Sequence, residues 1–304
     1  MSTFRCAASS LDRGEPLFGT ASGVSRWLLV EQPGPWGPAG FPESRLDATV
    51  RESLQVQALA LGARPLLIRR PAGHAGPSGD ADGGRTVFIV DSAPGSERVL
   101  RRRVTDESAL APLELSAGWD RVDGPLFLVC THGRHDTCCA MRGRPVAAAL
   151  AALDPERTWE CSHLGGDRFA SNTLVLPHGL YYGRLTAETA PAMLAATRDG
   201  RVLTQFLRGR SSLSQPAQAA QHFGHAELGC SGIDQLLPVA EEQLAPDTWR
   251  VLLRDASAPA GEEAAVTVRR TRDGAAEQLT CHALARTVAP LWELVRLEVL
   301  APAV

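Results

Sequence analysis

The chain has 304 residues, 44% of them apolar and 21% charged, with a formal net charge of −3. That composition is ordinary for a globular protein with room for about two or three packed units. It excludes a nucleic-acid-binding face: all 31 basic residues are arginines, dispersed except for Arg101-Arg102-Arg103. There is no apolar run long enough to span a membrane, and MSTFRCAASSLDRGEPLF has no secretory apolar core. Seven cysteines, an odd number in a chain of this length, argue against a disulfide framework. A cytoplasmic protein with reduced or metal-holding thiols is expected.

In chain order, RWLLVEQ (26–32) reads as a buried strand entering the rigid turn PGPWGPAG. Asp47 then caps a helix that runs to Gly62, with Val50, Leu54, Val56 and Leu59 roughly on its apolar face. Strands are expected at 64–70, 85–92 and 98–104. The polar connection PAGHAGPSGDADGGR joins the first two, and a short helix follows at 106–115. The second segment repeats this β-loop-α-β-β-β-α order. It comprises a strand at 125–130, a long loop, a helix at 142–153 with Pro145 in its first turn, and a strand at 157–163. Strands at 172–178 and 180–185 then meet in a hairpin at Pro177-His178-Gly179. A helix at 186–200, capped near Thr186, closes the segment. From 210, two helical pieces (210–229 and 232–245) precede strands at 248–255, 264–271 and 277–283.

A βα unit, an antiparallel pair and a packing helix build a thioredoxin-like layer, and two copies suggest an internal duplication. The expected fold is therefore α/β (α+β): a degenerate thioredoxin-like repeat (1–121), a second thioredoxin-like module (122–209) and a small α+β tail (210–304). Only the second copy keeps ligands; the equivalent first-copy loop holds Pro33, Pro35 and Trp36.

Four of the seven cysteines (Cys130, Cys138, Cys139, Cys161) and three of the eight histidines (His132, His135, His163) fall between Cys130 and Asp167. Soft ligands gathered in loops after apolar strands point to a metal or to thiol chemistry. Eight residues separate Cys130 from Cys139, and three separate His163 from Asp167. Gly165 and Gly166 are expected to let the backbone turn sharply and approach a metal where a Cβ would crowd it.

Several stretches together resemble the sucrase/ferredoxin-like family of thioredoxin-like [2Fe-2S] proteins. They are Cys130-Thr131-His132-Gly133-Arg134, Asp136, Cys138-Cys139-Ala140, Gly143, Pro145, Cys161 through Phe169, Asn172 and Leu180-Tyr181-Tyr182-Gly183. GEPLFGTAS (14–22) and WLLVEQPGPWG (27–37) match as well. The resemblance implies a [2Fe-2S] cluster held by C-x8-C and, in fungal members, by H-x-G-G-H. Cys130, Cys139 and His163 occupy matching positions, but Asp167 stands where the last histidine would be. The fourth ligand is therefore Asp167, one of the reserves Cys161 and Cys138, or a group from outside the chain. Imidazole ligands raise the potential of such a cluster, and a carboxylate would lower it again.

Each residue also has a plainer reading. Cys130, Cys139 and His163 would be a buried thiol pair and a loop histidine, and Asp167 would form an Asx turn or pair with Arg168. Cys138 is expected to point away into the protein and Cys161 to be a core thiol. His132 and His135 belong on the exposed loop; Arg134 and Arg168 are expected to be solvated. Tyr181 and Tyr182 pack in the hairpin, and Cys6, Cys230 and Cys281 are structural.

The favoured function is a one-electron carrier, non-enzymatic, serving redox partner proteins, with no nucleic acid or membrane partner. A zinc-stabilised interaction module competes, since two thiolates, an imidazole and a carboxylate suit tetrahedral zinc. A sucrose-cleaving hydrolase would need a distinguished carboxylate pair, and none stands out. A thiol-disulfide oxidoreductase would want Cys-x-x-Cys, which does not occur, and no nucleotide-binding glycine motif is present.

Overall fold

The computed structural model describes residues 4–73, 84–111, 118–257 and 262–300. The elements begin with α1 (Cys6–Asp12), β1 (Arg26–Glu31), α2 (Ala48–Ala60), β2 (Arg64–Arg69), β3 (Arg85–Asp91), β4 (Arg98–Val104) and β5 (Asp120–Arg121). They continue with β6 (Leu126–Cys130), α3 (Thr137–Leu153), β7 (Thr158–Cys161), β8 (Thr173–Leu176), β9 (Leu180–Tyr182), α4 (Ala190–Arg198) and β10 (Leu207–Arg210). The tail holds α5 (Gln215–Leu228), β11 (Leu236–Ala245), β12 (Thr248–Asp255), β13 (Glu263–Thr271) and β14 (Leu291–Leu300).

The first ten strands form one sheet in the order β10-β9-β8-β6-β7-β2-β1-β3-β4-β5. Within the first half, β1 runs parallel to β2 and antiparallel to β3, which pairs antiparallel with β4. Within the second, β6 runs parallel to β7 and antiparallel to β8, which pairs antiparallel with β9. The two halves thus share one strand order, that of a thioredoxin-like layer. They join where β2 pairs antiparallel with β7, through Ile68 with Cys161 and Arg69 with Glu160.

Side-chain alternation along the strands assigns each face. Leu28 and Val30 pack under α2 with Val50, Leu54 and Leu67, while Phe127 and Val129 pack under α3 and α4 with Val146, Leu150 and Met193. Trp27, Leu29, Ile68, Leu128, Trp159 and Tyr181 share the opposite, common core. Trp27 on β1 and Tyr181 on β9 are five strand spacings apart along the sheet, about 24 Å if it were flat. Their ring centroids lie 6.3 Å apart. The sheet is therefore folded over at the β2–β7 seam, with the helices outside and the common core between its two halves.

Several boundaries differ from the sequence reading. Asp47 does cap α2, accepting from the Thr49 and Val50 amides. The buried stripe is Val50, Leu54 and Ala58, however; Val56 and Leu59 face solvent, because they stand about a third of a turn or more off that i, i+4, i+8 line. At 106–115 the described part is a 3-10 turn at Glu107–Leu110 capped by Asp106, and 112–117 lie outside the described residues, as do 74–83 of the polar connection.

Helix α3 starts five residues early, at Thr137. The Asp136 side chain accepts from the Cys138 amide, so Cys138 and Cys139 sit on its first turn and not in a loop. Pro145 is consequently inside the helix, where its missing donor falls on the exposed side with Met141. Helix α4 starts late, at Ala190, because the Thr186 and Thr189 side chains bond each other's backbone ahead of it.

In the tail, α5 begins after its Ser214 cap and packs on a four-stranded sheet, β11-β12-β13-β14. The predicted helix at 232–245 is the edge strand β11. Its pairing with β12 closes a tight turn at Pro246-Asp247, where Asp247 adopts φ 59, and tertiary pairing overrides a helix-prone composition. The strand expected at 277–283 is a turn with one bridge, Glu277 to Thr287, and β14 was not foreseen. Among the described residues no helix is long and apolar enough to cross a membrane.

Candidate metal centre

Strand β6 delivers Cys130 to the carboxyl end of the sheet, where Cys130 N–H donates to Asn172 O at 2.9 Å. The chain then turns through His132, whose carbonyl accepts from the His135 and Asp136 amides, into the capped start of α3. That places Cys139 against Cys130. The approach is close: a Cβ at Gly143, about one turn beyond Cys139 in α3, would lie 2.2 Å from Cys130 O. Only glycine lets the helix sit this tightly on the strand end.

The second pair arrives on the loop after β7. Four consecutive carbonyls of this loop are held from behind. Arg64 donates to His163 O at 2.8 Å and to Leu164 O at 3.2 Å, Arg208 to Gly165 O at 2.9 Å, and Asn172 to Gly166 O at 2.9 Å. Gly165 and Gly166 have φ of 99° and 75°, so the sharp turn needs glycine. The obstruction that a Cβ would meet is not a metal site. It is Ser22 Oγ for Gly165 and the Arg208 guanidinium for Gly166. A loop pinned this way fixes its outward side chains.

Those side chains meet the thiols. Cys139 Sγ lies 3.2 Å from Asp167 Oδ1, and His163 Nδ1 lies 3.0 Å from the same oxygen. Cys130 and Cys139 share a hydrogen bond. Cys139, Asp167 and His163 therefore meet, and Cys130 joins them through Cys139. His135 joins them: its Nε2 is 3.6 Å from Asp167 Oδ2, and its ring lies against that of His163, centroids 3.7 Å apart and planes tilted by 35°. His135, His163 and Asp167 form a group able to hold a metal ion.

The plainer alternatives fare differently. Asp167 does not pair with Arg168, which instead donates to Glu15 at 2.6 Å. Cys161 is a core thiol at the seam, beside Trp159 and Leu164. Cys138 turns away to a separate set of residues. His132 is not on the surface; it is 2% exposed, with Nε2 at 2.8 Å from Gly37 O and its ring edge-on to Trp36. His135 is only partly exposed. The buried cation of the site is Arg208, which the sequence reading missed. It is 1% exposed, lies between the rings of Phe169 and Tyr181, and burial pulls its pKa down to about 10. Nothing in its sequence neighbourhood distinguishes it from the other thirty arginines; only the long-range packing does.

Electrostatics follow from this arrangement. Burial pushes the Asp167 carboxyl up, but His163 and then His135 outweigh it and hold it below the usual carboxylate range. Burial pulls His163 down, yet the Asp167 carboxylate leaves it raised. The hydrogen bond from Cys139 holds the Cys130 thiol below its ordinary range despite burial, and the same bond together with burial keeps Cys139 protonated. Burial raises Cys161 well above the ordinary thiol range.

One atom tests whether this donor set fits a metal. His163 Nδ1 is buried and has no hydrogen-bond partner, since its close approach to Asp167 is misaligned. Coordination would give this nitrogen the aligned partner that Asp167, at 3.0 Å, does not supply. Two thiols, this nitrogen and a carboxylate are a coherent set for iron-sulfur or zinc ligation.

A family model described as "Sucrase/ferredoxin-like" matches residues 17–209, which include the whole of this site. The chain belongs to the sucrase/ferredoxin-like family. No curated relative matches the chain. Two solved structures, both cysteine-to-serine variants of the thioredoxin-like [2Fe-2S] ferredoxin from Aquifex aeolicus, are similar to 29% of this chain and are covered completely. Each shows 16% identity and a TM-score of 0.25. That overlap is too slight to carry weight here. For this sucrase/ferredoxin-like chain the site rests on its own geometry, within a family that the matched segment establishes.

Proposed function

We propose that Cys130, Cys139, His163 and Asp167 hold a [2Fe-2S] cluster and that the protein carries single electrons between redox partner proteins. The observation that carries this reading is the meeting of His163, on a loop pinned from behind, with Asp167 and the buried thiol Cys139: Asp167 Oδ1 lies 3.0 Å from His163 Nδ1 and 3.2 Å from Cys139 Sγ. A bound cluster would supply one-electron chemistry at a potential set by its mixed sulfur, nitrogen and carboxylate ligation. The residues do the rest. Cys130 and Cys139 anchor from the core side, and Arg208 and Arg64 fix the loop. His163 and His135 form the rim, with side chains 29% and 33% exposed, where a partner can approach. Beside this rim a cavity of about 160 Å³, lined by Gly40, Phe41, Pro42 and Arg64, offers a contact surface. His135 is within reach as an alternative fourth ligand to Asp167.

The test is anaerobic purification followed by iron and sulfide analysis, an absorption spectrum and EPR after reduction. About two irons and two sulfides per chain, with a rhombic signal, are expected. Cys139→Ser should abolish both, and Asp167→Ala set against His135→Ala identifies the fourth ligand by which one changes the EPR signal. A chain that stays colourless and free of iron and sulfide after reconstitution overturns the reading.

A further inference from the structure

Cys138, about 100° round α3 from Cys139, points into a second constellation assembled from the whole length of the chain. Its Sγ is 3.4 Å from Cys281 Sγ, which is 3.6 Å from Cys6 Sγ. Cys6 Sγ in turn lies 3.6 and 3.7 Å from the two carboxylate oxygens of Asp136. Ligand atoms of Cys6, Asp136, Cys138 and Cys281 all lie within 4.8 Å of one another. None is more than 2% exposed.

These spacings are the edges of a coordination tetrahedron. With metal–sulfur bonds of about 2.3 Å and a metal–oxygen bond of about 2.0 Å, tetrahedral geometry puts two sulfurs about 3.8 Å apart and a sulfur and an oxygen about 3.5 Å apart. The surroundings also suit an anionic donor set. The Cys138 and Cys281 amides donate to the Asp136 carboxylate at 2.8 and 2.6 Å, which orients it. The Ala7 and Cys6 amides face the sulfurs of Cys138 and Cys281. Such outer hydrogen bonds orient ligands around a metal. A carboxylate buried among three thiols is otherwise an expensive group to place in a core.

We propose that Cys6, Asp136, Cys138 and Cys281 bind one zinc ion in a closed, structural site that fastens α1 and the C-terminal segment to the start of α3. Zinc is the metal assigned because four protein donors, mainly sulfur, leave no open position and need no redox change. The site is independent of the cluster proposed above. It shares no ligand with it and stands or falls separately.

The test uses the full chain expressed with iron and zinc and purified without chelator. One zinc per chain is expected, with a first shell of three sulfurs and one oxygen by zinc-edge X-ray absorption. Cys139→Ser should empty the first site and leave this zinc in place. Cys281→Ser and Cys6→Ser should lower zinc affinity by about tenfold or more, with Cys230→Ser as the unaffected control. If Cys281→Ser does not fold, the wild-type absorption edge still decides. A shell with two or fewer sulfurs, a chain that takes up no added zinc, or a mass showing a Cys138–Cys281 disulfide in place of metal overturns the proposal. Zinc lost in Cys139→Ser but kept in Cys281→Ser overturns it as well. Absence of iron and sulfide bears on the other site alone.

Discussion

Cys138 and Cys139 are neighbours in sequence, yet they serve two constellations that differ mainly in access. Cys139 faces a set whose outer members, His163 and His135, are about a third open to solvent. Cys138 faces a set that is closed on every side. Both sets combine thiols with one carboxylate. Successive residues on a helix are about 100° apart, so one helix start can feed two sides of the core. The two sets share donor chemistry and differ in whether one of their members reaches water.

The largest effect expected is a clean exchange between neighbours. Cys139→Ser should remove iron and colour and keep zinc, whereas Cys138→Ser should do the reverse, as read by metal analysis of the two proteins side by side. If either variant loses both metals, the two sites are one unit and the contrast fails.

Removing a donor from the closed set should also cost more stability than removing one from the open rim. Cys281→Ser is expected to lose about 3–5 kcal/mol, as when one partner of a buried charged group is deleted. His135→Ala, at the rim, should lose far less. Urea titration of both variants measures the difference, and equal losses would refute it.

Gly143→Ala comes next. The added Cβ would collide with Cys130 O, so α3 must shift by enough to cost about 1–3 kcal/mol. Since the clash is with Cys130 itself, iron retention should fall before zinc retention does.

The smallest effect concerns pH in the metal-free chain. Asp167 is depressed, so its contribution is present above its unfolded pKa and fades as pH falls through the folded one. His163 is raised, so its contribution is present below its unfolded pKa and fades as pH rises through the folded one. Their mutual stabilisation is therefore greatest between about pH 4 and about pH 6.5. The gap in thermal midpoint between wild type and Asp167→Asn should be widest there; a gap that is flat with pH would show that the pair does not titrate together.

Much of this was legible from local pattern. The strands of both halves announce themselves by apolar runs, and Asp47 by its capping position. Cys130, Cys139, His163 and Asp167 stand out by their spacing, eight residues between the first two and three between the last two. What escaped was set by long-range packing. Residues 232–245 have the composition of a helix, and only the partner strand β12 makes them a strand. Arg208 is one arginine among 31 until the fold buries it under the Gly165-Gly166 turn. Cys6 and Cys281, 275 residues apart, look like isolated thiols in sequence, and no spacing rule joins them. The Asp136 cap was the available clue. An acidic residue two positions before Cys138 predicts an earlier helix start, and with it the divergence of the two cysteines.

The β2–β7 seam has a consequence for solubility. A strand at the edge of a sheet is a template for any other chain that can pair with it. In the second half alone, β7 would present its edge with Trp159 and Cys161 beside it. The first half covers that edge permanently through Ile68 and Arg69, and the Arg69 guanidinium meets the Glu160 carboxylate at 2.6 Å across the join. The first half thus takes the edge with which a strand of another chain would otherwise pair.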